Sequence, residues 1–270
     1  MAIKDKFAPD FERNSEGLVL FPRDDKYRKE LWPNFDITLH PAKANIYLVT
    51  ECIRYVSEVG ETVMDIMSGT GTIMVGALLG RRVICIEIGD LFQGIIQQNI
   101  LDLEKREPGS GSMVTLIPGD CNLVLPIPAD HIIFSPPYSS ILKATHRSQF
   151  DRDTKSMMGV LNYSHNANQG VNVGELSDFL FHQQMDKIYR KCYQSLPVGG
   201  TITIIVKDHI VGGQRVSLSL KTKQQCEAIG FEPIAWHRWL PPGFSYVGIR
   251  KARGEEVVLE EEIIVLRRPK

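Results

Sequence analysis

Residues 62–90 read TVMDIMSGTGTIMVGALLGRRVICIEIGD, and the rest of the chain is arranged around them. Thr62 to Met67 is a short apolar run, the mark of a buried strand. Ser68 to Thr72 is a tight turn in which Gly69 and Gly71 give the backbone freedom to approach a ligand. Ile73 to Leu79 can turn as helix, and Arg82 to Ile88 is a second apolar run holding one carboxylate, Glu87. Strand, glycine loop, helix, and second strand ending in an acid together describe a nucleotide-type pocket. The helix N-terminus lies beside the ligand, and the acid can accept hydrogen bonds from a ribose diol. A glycine loop alone also fits a purely structural turn. Its placement between two apolar runs favours the ligand loop.

Size and composition bound the reading. The chain has 270 residues and 43% apolar content, enough for one α/β domain with a real core and a small insertion. A net charge of −1 does not suggest a simple duplex binder, although a local basic patch can act within a neutral total. Cys52, Cys85, Cys121, Cys192 and Cys226 are widely spaced, without zinc-finger spacing, so no metal site is expected and a reducing, cytoplasmic setting fits. No apolar span suits a membrane helix, and the N-terminus lacks an apolar signal core.

Residues 1–36, punctuated by Pro9, Pro22 and Pro33, are expected as an irregular arm, with Lys26, Arg28 and Lys29 on a solvated face. Pro41 suits the first turn of a helix running to about Glu58, its apolar face made by Ile46, Val49, Ile53 and Val56. His40 and Lys43 then lie at its start; taken alone, His40 reads as a capping or packing residue. Further on, Asp90 to Leu103 is a helix and Met113 to Ile117 a strand followed by Asp120, a second acid on the ligand side that can receive an adenine amino group. Asp130 to Phe134 is a fourth apolar run, delivering Ser135-Pro136-Pro137-Tyr138 to the mouth of the sheet.

Residues 139–174 interrupt this rhythm. They carry Lys143, His146, Arg147, Arg152 and Lys155 beside Phe150 and Tyr163, a mixture suited to backbone-and-base contact. So long a stretch without a periodic element favours a functional lid or binding loop over a contact-free surface insertion. Leu176–Leu196 reads as helix, Thr201–Val206 as strand, Val216–Ile229 as helix, Phe231–Trp239 as strand and Ile263–Leu266 as a late strand, with 249–256 suited to a hairpin connection. The sum is a mostly parallel sheet with a terminal antiparallel hairpin.

The combination of MDIMSGTGT (64–72), SPPY (135–138) and HPAK (40–43) resembles the amino-directed DNA methyltransferases, with NVGEL (172–176), PVGG (197–200) and IIVKD (204–208) resembling their downstream pattern. The resemblance covers roughly residues 36–240. It implies a Rossmann-like class I methyltransferase with a mostly parallel seven-stranded sheet and a C-terminal antiparallel hairpin, dividing into an arm at 1–36 and a catalytic domain at 37–270 with a DNA-contacting insertion at 139–174. It implies S-adenosylmethionine as cofactor. His40, Lys43, Asp65, Met67, Gly69, Gly71, Thr72, Glu87, Asp120 and Phe134 would line the donor pocket. Within it, Glu87 would hold the ribose, Asp120 would read the adenine amino group and Asp65 would orient the methionine portion. Ser135, Pro136, Pro137 and Tyr138 would form the acceptor site, Tyr138 stacking on a base turned out of the duplex. The family's usual Asp-Pro-Phe is replaced by Asp65-Ile66-Met67, which keeps apolar packing but loses the proline's rigidity.

The implied partner is double-stranded DNA. A homodimer or a separate specificity partner would supply recognition beyond 139–174 and 241–256, and no membrane is involved. Serine at 135 leans toward cytosine N4 over adenine N6, and both remain open. Competing readings are an RNA or protein methyltransferase on the same fold, an inactive donor-binding module, and, least supported, a dehydrogenase, whose three-glycine spacing is absent. A prokaryotic or phage origin, with or without a companion restriction endonuclease, fits this reading.

Overall fold

The computed structural model describes residues 3–34, 43–137, 172–211, 213–242 and 253–270. Its main sheet has seven strands: β1 (Thr62–Asp65), β2 (Arg82–Glu87), β3 (Val114–Pro118), β4 (His131–Phe134), β5 (Thr201–Val206), β8 (Glu232–Trp239) and β9 (Glu261–Arg267). Between β5 and β8 a small antiparallel pair intervenes, β6 (His209–Val211) and β7 (Gln214–Val216). The spatial order is β3-β2-β1-β4-β5-β9-β8, with β1 to β5 parallel and β9 antiparallel to both its neighbours. This is the Rossmann-like, mostly parallel sheet with the expected antiparallel pair.

Chain composition decides which member of that pair lies inside. The apolar run Ile263–Leu266 is fully buried in β9, whereas β8 (EPIAWHRW) is charged and half exposed, so β9 inserts beside β5 and β8 becomes the edge. That edge is partly covered: Val19 donates its N–H to the Arg238 carbonyl at 3.0 Å and accepts from Leu240 N–H at 3.0 Å. Parallel strands are buried on both faces, and every residue of β4 and β5 is buried accordingly.

Among the described residues the helices are α1 (Asp25–Leu31), α2 (Ile46–Val56), α3 (Val75–Leu78), α4 (Asp90–Arg106), α5 (Cys121–Val124), α6 (Asp178–Ser195) and α7 (Leu218–Ile229). One core layer joins α2, α3 and α4 to the sheet, and the N-terminal residues Phe7, Val19, Phe21, Leu31 and Trp32 are buried in it. The other layer is built on α6, through Phe181, Met185, Ile188, Tyr189 and Cys192, with Leu218 and Cys226 of α7.

Several local expectations are corrected. The helix expected from Pro41 starts instead at Ile46, because Asn45 caps it and accepts the N–H groups of Tyr47 at 2.9 Å and Leu48 at 3.2 Å. Pro41 and His40 lie outside the described residues. Val216 belongs to β7, and the following helix starts at Leu218 because Asp208 reaches across to accept Ser219 N–H at 3.0 Å. The stretch after the glycine loop splits into a 3-10 turn (Thr72–Met74) and a single α turn. Arg28, expected in solvent, is 1% exposed. The five cysteines are free and buried. Among the described residues no helix is long and apolar enough to cross a membrane.

Candidate active site

The strand order reverses between β1 and β4, and ligands of open α/β sheets sit at the carboxyl ends of strands beside such a switch point. The chain brings four of its expected site segments to that edge: Asp65 ends β1, Glu87 ends β2, Asp120 follows β3 and Ser135 follows β4. The β1–β4 register pairs Met64 with Ile132, which carries Ser135 to just beyond the level of Asp65.

The glycine loop is held by hydrogen bonds from several directions. Ser68 N–H donates to the Ile86 carbonyl at 3.0 Å and its hydroxyl to the Asp65 carbonyl at 2.9 Å. Gly69 N–H donates to Glu87 Oε2 at 2.7 Å, and Asn99 Nδ2 of α4 donates to the Thr70 carbonyl at 3.1 Å. Gly71 has φ +77°, and a side chain there would meet the Met74 methyl at 2.6 Å and Ile96 Cγ1 at 3.0 Å. The backbone angle therefore calls for glycine at 71, and a side chain there would also displace the Met74 methyl.

Glu87 is 5% exposed. Its second oxygen accepts Gly89 N–H at 2.8 Å, so the carboxylate ties the loop to the turn after β2. Burial pushes its pKa up to about 7 against the lowering effect of those N–H donors. Asp65 keeps some contact with solvent and accepts Met67 N–H at 2.9 Å. Its carboxyl is also pushed up to about 7, first by desolvation and then by the nearby negative charge of Glu87. Asp120 caps α5, accepting Asn122 N–H at 2.8 Å, and Gly119 N–H donates to the Glu87 carbonyl at 2.8 Å, which locks the ends of β2 and β3 together. Three carboxylates thus crowd one edge, an acceptor-rich surface suited to a ligand bearing positive charge, hydroxyl and amino groups.

Other expected residues stand differently. Thr72 is buried, and its Oγ1 accepts from Arg28 Nη1 at 3.1 Å behind the loop. Phe134 is 1% exposed and packs toward Tyr189, with ring centroids 6.4 Å apart. Met67 packs against the α6-side core and retains partial exposure. Lys43 is partly exposed ahead of α2. Ser135 and Pro137 are partly exposed, while Pro136 is buried. His40, Tyr138 and nearly all of the 139–174 insertion lie outside the described residues. Sequence reasoning missed Arg28 and Asn99, which hold the loop from outside it. Asn99, a polar residue on the buried side of α4, offered the one available signal; Arg28 offered none.

Beyond β5, Lys207 donates to the Leu259 carbonyl at 3.2 Å, and burial lowers its pKa. Arg215 of β7 bonds Asp208 Oδ2 and Glu260 Oε1, each at 2.9 Å, and lies 3.6 Å from Glu262. Trp236 and Trp239 donate their indole N–H groups to Glu262 at 2.6 Å and Glu261 at 3.0 Å.

Comparison with known proteins agrees with this geometry. The family model described as DNA methylase matches residues 11–98. No curated protein sequence matches the chain. Among solved structures, a methyltransferase from Pyrococcus furiosus is similar at 14% identity, with a TM-score of 0.55 over 92% of this chain and 95% of that one. TrmN from Thermus thermophilus is similar at 14% identity and a TM-score of 0.52; the match covers 84% of this chain and spans half the length of TrmN. The glycopeptide N-methyltransferase MtfA complexed with (S)-adenosyl-L-methionine is similar at 11% identity, with a TM-score of 0.51 over 93% and 100% of the two chains. At such identities these likenesses show the fold. The family match lies over the glycine loop and both neighbouring strands, and the chain is built on the Rossmann-like methyltransferase fold.

Proposed function

We propose that the protein transfers a methyl group from S-adenosylmethionine to the exocyclic amine of a base turned out of duplex DNA, with cytosine N4 slightly favoured over adenine N6. The observation that carries this reading is the pairing of two structures across the switch point. The carboxylates Asp65, Glu87 and Asp120 surround a pinned glycine loop, and Ser135-Pro136-Pro137 leaves the adjacent strand β4. The donor's chemistry matches the first: a cationic sulfonium, an α-amino group, a ribose diol and an adenine amino group meet oxygen acceptors. Glu87 would take the diol, Asp120 the adenine amino group, and Asp65 the methionine portion, with Lys43 and His40 near its carboxylate and Met67 packing alongside.

The bound donor supplies an electrophilic methyl group on sulfur. On the acceptor side, the Pro136 carbonyl accepts one N–H of the target amine, which turns the nitrogen lone pair toward the methyl carbon. Ser135 hydrogen-bonds the base, Pro137 keeps the backbone rigid and Tyr138 stacks on the extruded ring. As the N–C bond forms and the C–S bond breaks, sulfur keeps the electron pair and the amine gives up a proton to solvent. No covalent nucleophile is required. Cys85 and Cys121 are unsuited to a cytosine-C5 route, since burial pushes both thiols up.

Methylated-base sequencing of DNA from cells expressing the protein tests the reading, because it reports both the modified base and its context. N4-methylcytosine or N6-methyladenine present in cells expressing the parent and absent from cells expressing Ser135→Ala supports it. Incorporation into tRNA or protein but never into DNA refutes the DNA assignment.

A further inference from the structure

The N-terminal segment reaches the glycine loop through one buried guanidinium. Arg28, on α1, is 1% exposed. Its Nη1 donates to Thr72 Oγ1 at 3.1 Å, and its Nη2 donates to Asp24 Oδ2 and to the Ala44 carbonyl, each at 2.7 Å. Asp24 Oδ2 in turn accepts Ile46 N–H at 2.9 Å, and Asn45 donates to the Pro22 carbonyl at 2.9 Å while capping α2. The guanidinium also lies over the Trp32 ring, 5.7 Å from its centroid. A single planar fork therefore joins three separate stretches: the segment 22–32, the residues leading into α2, and the exit of the glycine loop.

Such a fork fixes direction as well as distance, which an ammonium group cannot do. The loop's other ties, to Glu87 and Asn99, reach its first half at Gly69 and Thr70. Thr72 opens the 3-10 turn directly after Gly71. Its position sets where the loop's last N–H groups point.

We propose that Arg28 is a positioning residue for the methyl donor: through Thr72 it sets the exit of the glycine loop and makes donor affinity depend on the N-terminal segment. The inference rests on the donor half of the reading above. Arg28 touches no reacting atom and acts on affinity, leaving the chemical step alone.

The test is donor calorimetry on the full chain, run well below the melting midpoint of every variant. Thr72→Val removes the acceptor, Thr72→Ser keeps it, and Arg28→Lys keeps the charge beside Asp24 while losing the fork. Thr72→Val and Arg28→Lys are each expected to weaken S-adenosylmethionine about fivefold or more, the net size of one ordinary intramolecular hydrogen bond. Thr72→Ser should stay within about twofold of the parent, and the double variant should be no weaker than the weaker single one. At saturating donor, kcat of Arg28→Lys should remain near the parental value while its KM for donor rises. Parental donor affinity in both Thr72→Val and Arg28→Lys, with only a lowered melting point, overturns the proposal and leaves Arg28 a structural residue. Additive losses, or a loss confined to Thr72→Val, also overturn it, since Thr72 would then meet the donor directly. A parent protein that binds no donor overturns the functional reading and this inference together, whereas a parent that binds donor but methylates no DNA leaves this inference standing.

Discussion

On one side of the switch point, from β1 to β3, the strand-end edge is held by backbone: strand-end carbonyls, and three carboxylates that accept main-chain N–H groups, Asp65 from Met67, Glu87 from Gly69 and Gly89, and Asp120 from Asn122. On the other, from β4 to β8, it is made of long side chains. Arg215 spans Asp208 and Glu260, Lys207 reaches Leu259, and two indoles hold Glu261 and Glu262. The first half is rigid and short-range, as suits a cofactor of fixed shape. The second is held by longer-range side-chain contacts around a partly exposed arginine, and Arg147, Arg152 and Lys155 follow Pro137 in the sequence, outside the described residues. Donor binding and acceptor recognition should therefore respond to different mutations.

The largest expected separation comes from Tyr138. Stacking of a base on an aromatic side chain contributes roughly 1–3 kcal/mol, so Tyr138→Ala should lower single-turnover methylation by one to two orders of magnitude. Tyr138→Phe, which keeps the ring, should retain most of the rate. Donor calorimetry on both variants should match the parent. Weakened donor binding together with a lower melting temperature in Tyr138→Ala would assign the ring to packing instead.

Next in size is the basic set in the insertion. Neutralising Arg147, Arg152 and Lys155 together should weaken DNA binding and make it less sensitive to salt, because each lost phosphate contact flattens the slope of log K against log salt by about 0.9. Donor affinity should hold. An unchanged slope would remove DNA from this segment's role.

Glu87 probes the opposite half. Glu87→Ala should raise the donor Kd at least about tenfold, or about 1.4 kcal/mol, and leave DNA affinity in place. Its titration adds a sign. The ligand-free carboxyl is held near 7, above its ordinary value, so the folded state binds the extra proton below that pH and loses the associated stability as pH rises through 7. The melting temperature of the parent minus that of Glu87→Gln should thus fall between pH 5 and 8. A ligand that favours the ionised carboxylate, as a ribose diol and a cation do, should bind the parent more tightly as pH rises over the same window. Parallel pH curves for the two proteins would sever Glu87 from the donor.

The same contrast explains what could be read from residues alone. The placement of Gly69, Gly71 and Glu87 at the strand ends was legible because strand, turn, strand and acid follow one another within a short stretch and the backbone does the positioning, and that of Asp120 because it directly follows another apolar run. The apolar runs of β1, β2, β4 and β5 were legible because parallel strands are buried on both faces. Arg28 was not legible: a basic residue between Lys26 and Lys29 on a short helix looks solvated, and only the folded chain brings Asp24, Ala44 and Thr72 around it. Nor was the β6–β7 pair, whose strands are short and whose anchors, Glu260 and Glu262, arrive from the far end of the chain. Long-range ion pairs leave no period in a sequence.

The smallest effect should come from Arg215, and its size is the point. The side chain is 35% exposed and holds β7 by charge, so Arg215→Met should cost about 1 kcal/mol or less once solvent screening is counted. Asp208 gains from the arrangement: burial would raise its pKa, but hydrogen bonds from Ser219, Arg215 and Ser217 outweigh it and hold the carboxyl below its ordinary value. That contribution is present above the unfolded pKa and is lost as pH falls through the folded one, so the hairpin should loosen in acid before the glycine loop does. Amide exchange of residues 209–216 should quicken in Arg215→Met, and raising salt should bring the parent toward the variant. Exchange in residues 68–72 should not respond to either change, because their ties run through backbone N–H groups and buried acceptors. Salt-independent exchange in the hairpin, or a matching change at the glycine loop, would show that the two halves of the edge are held by the same forces.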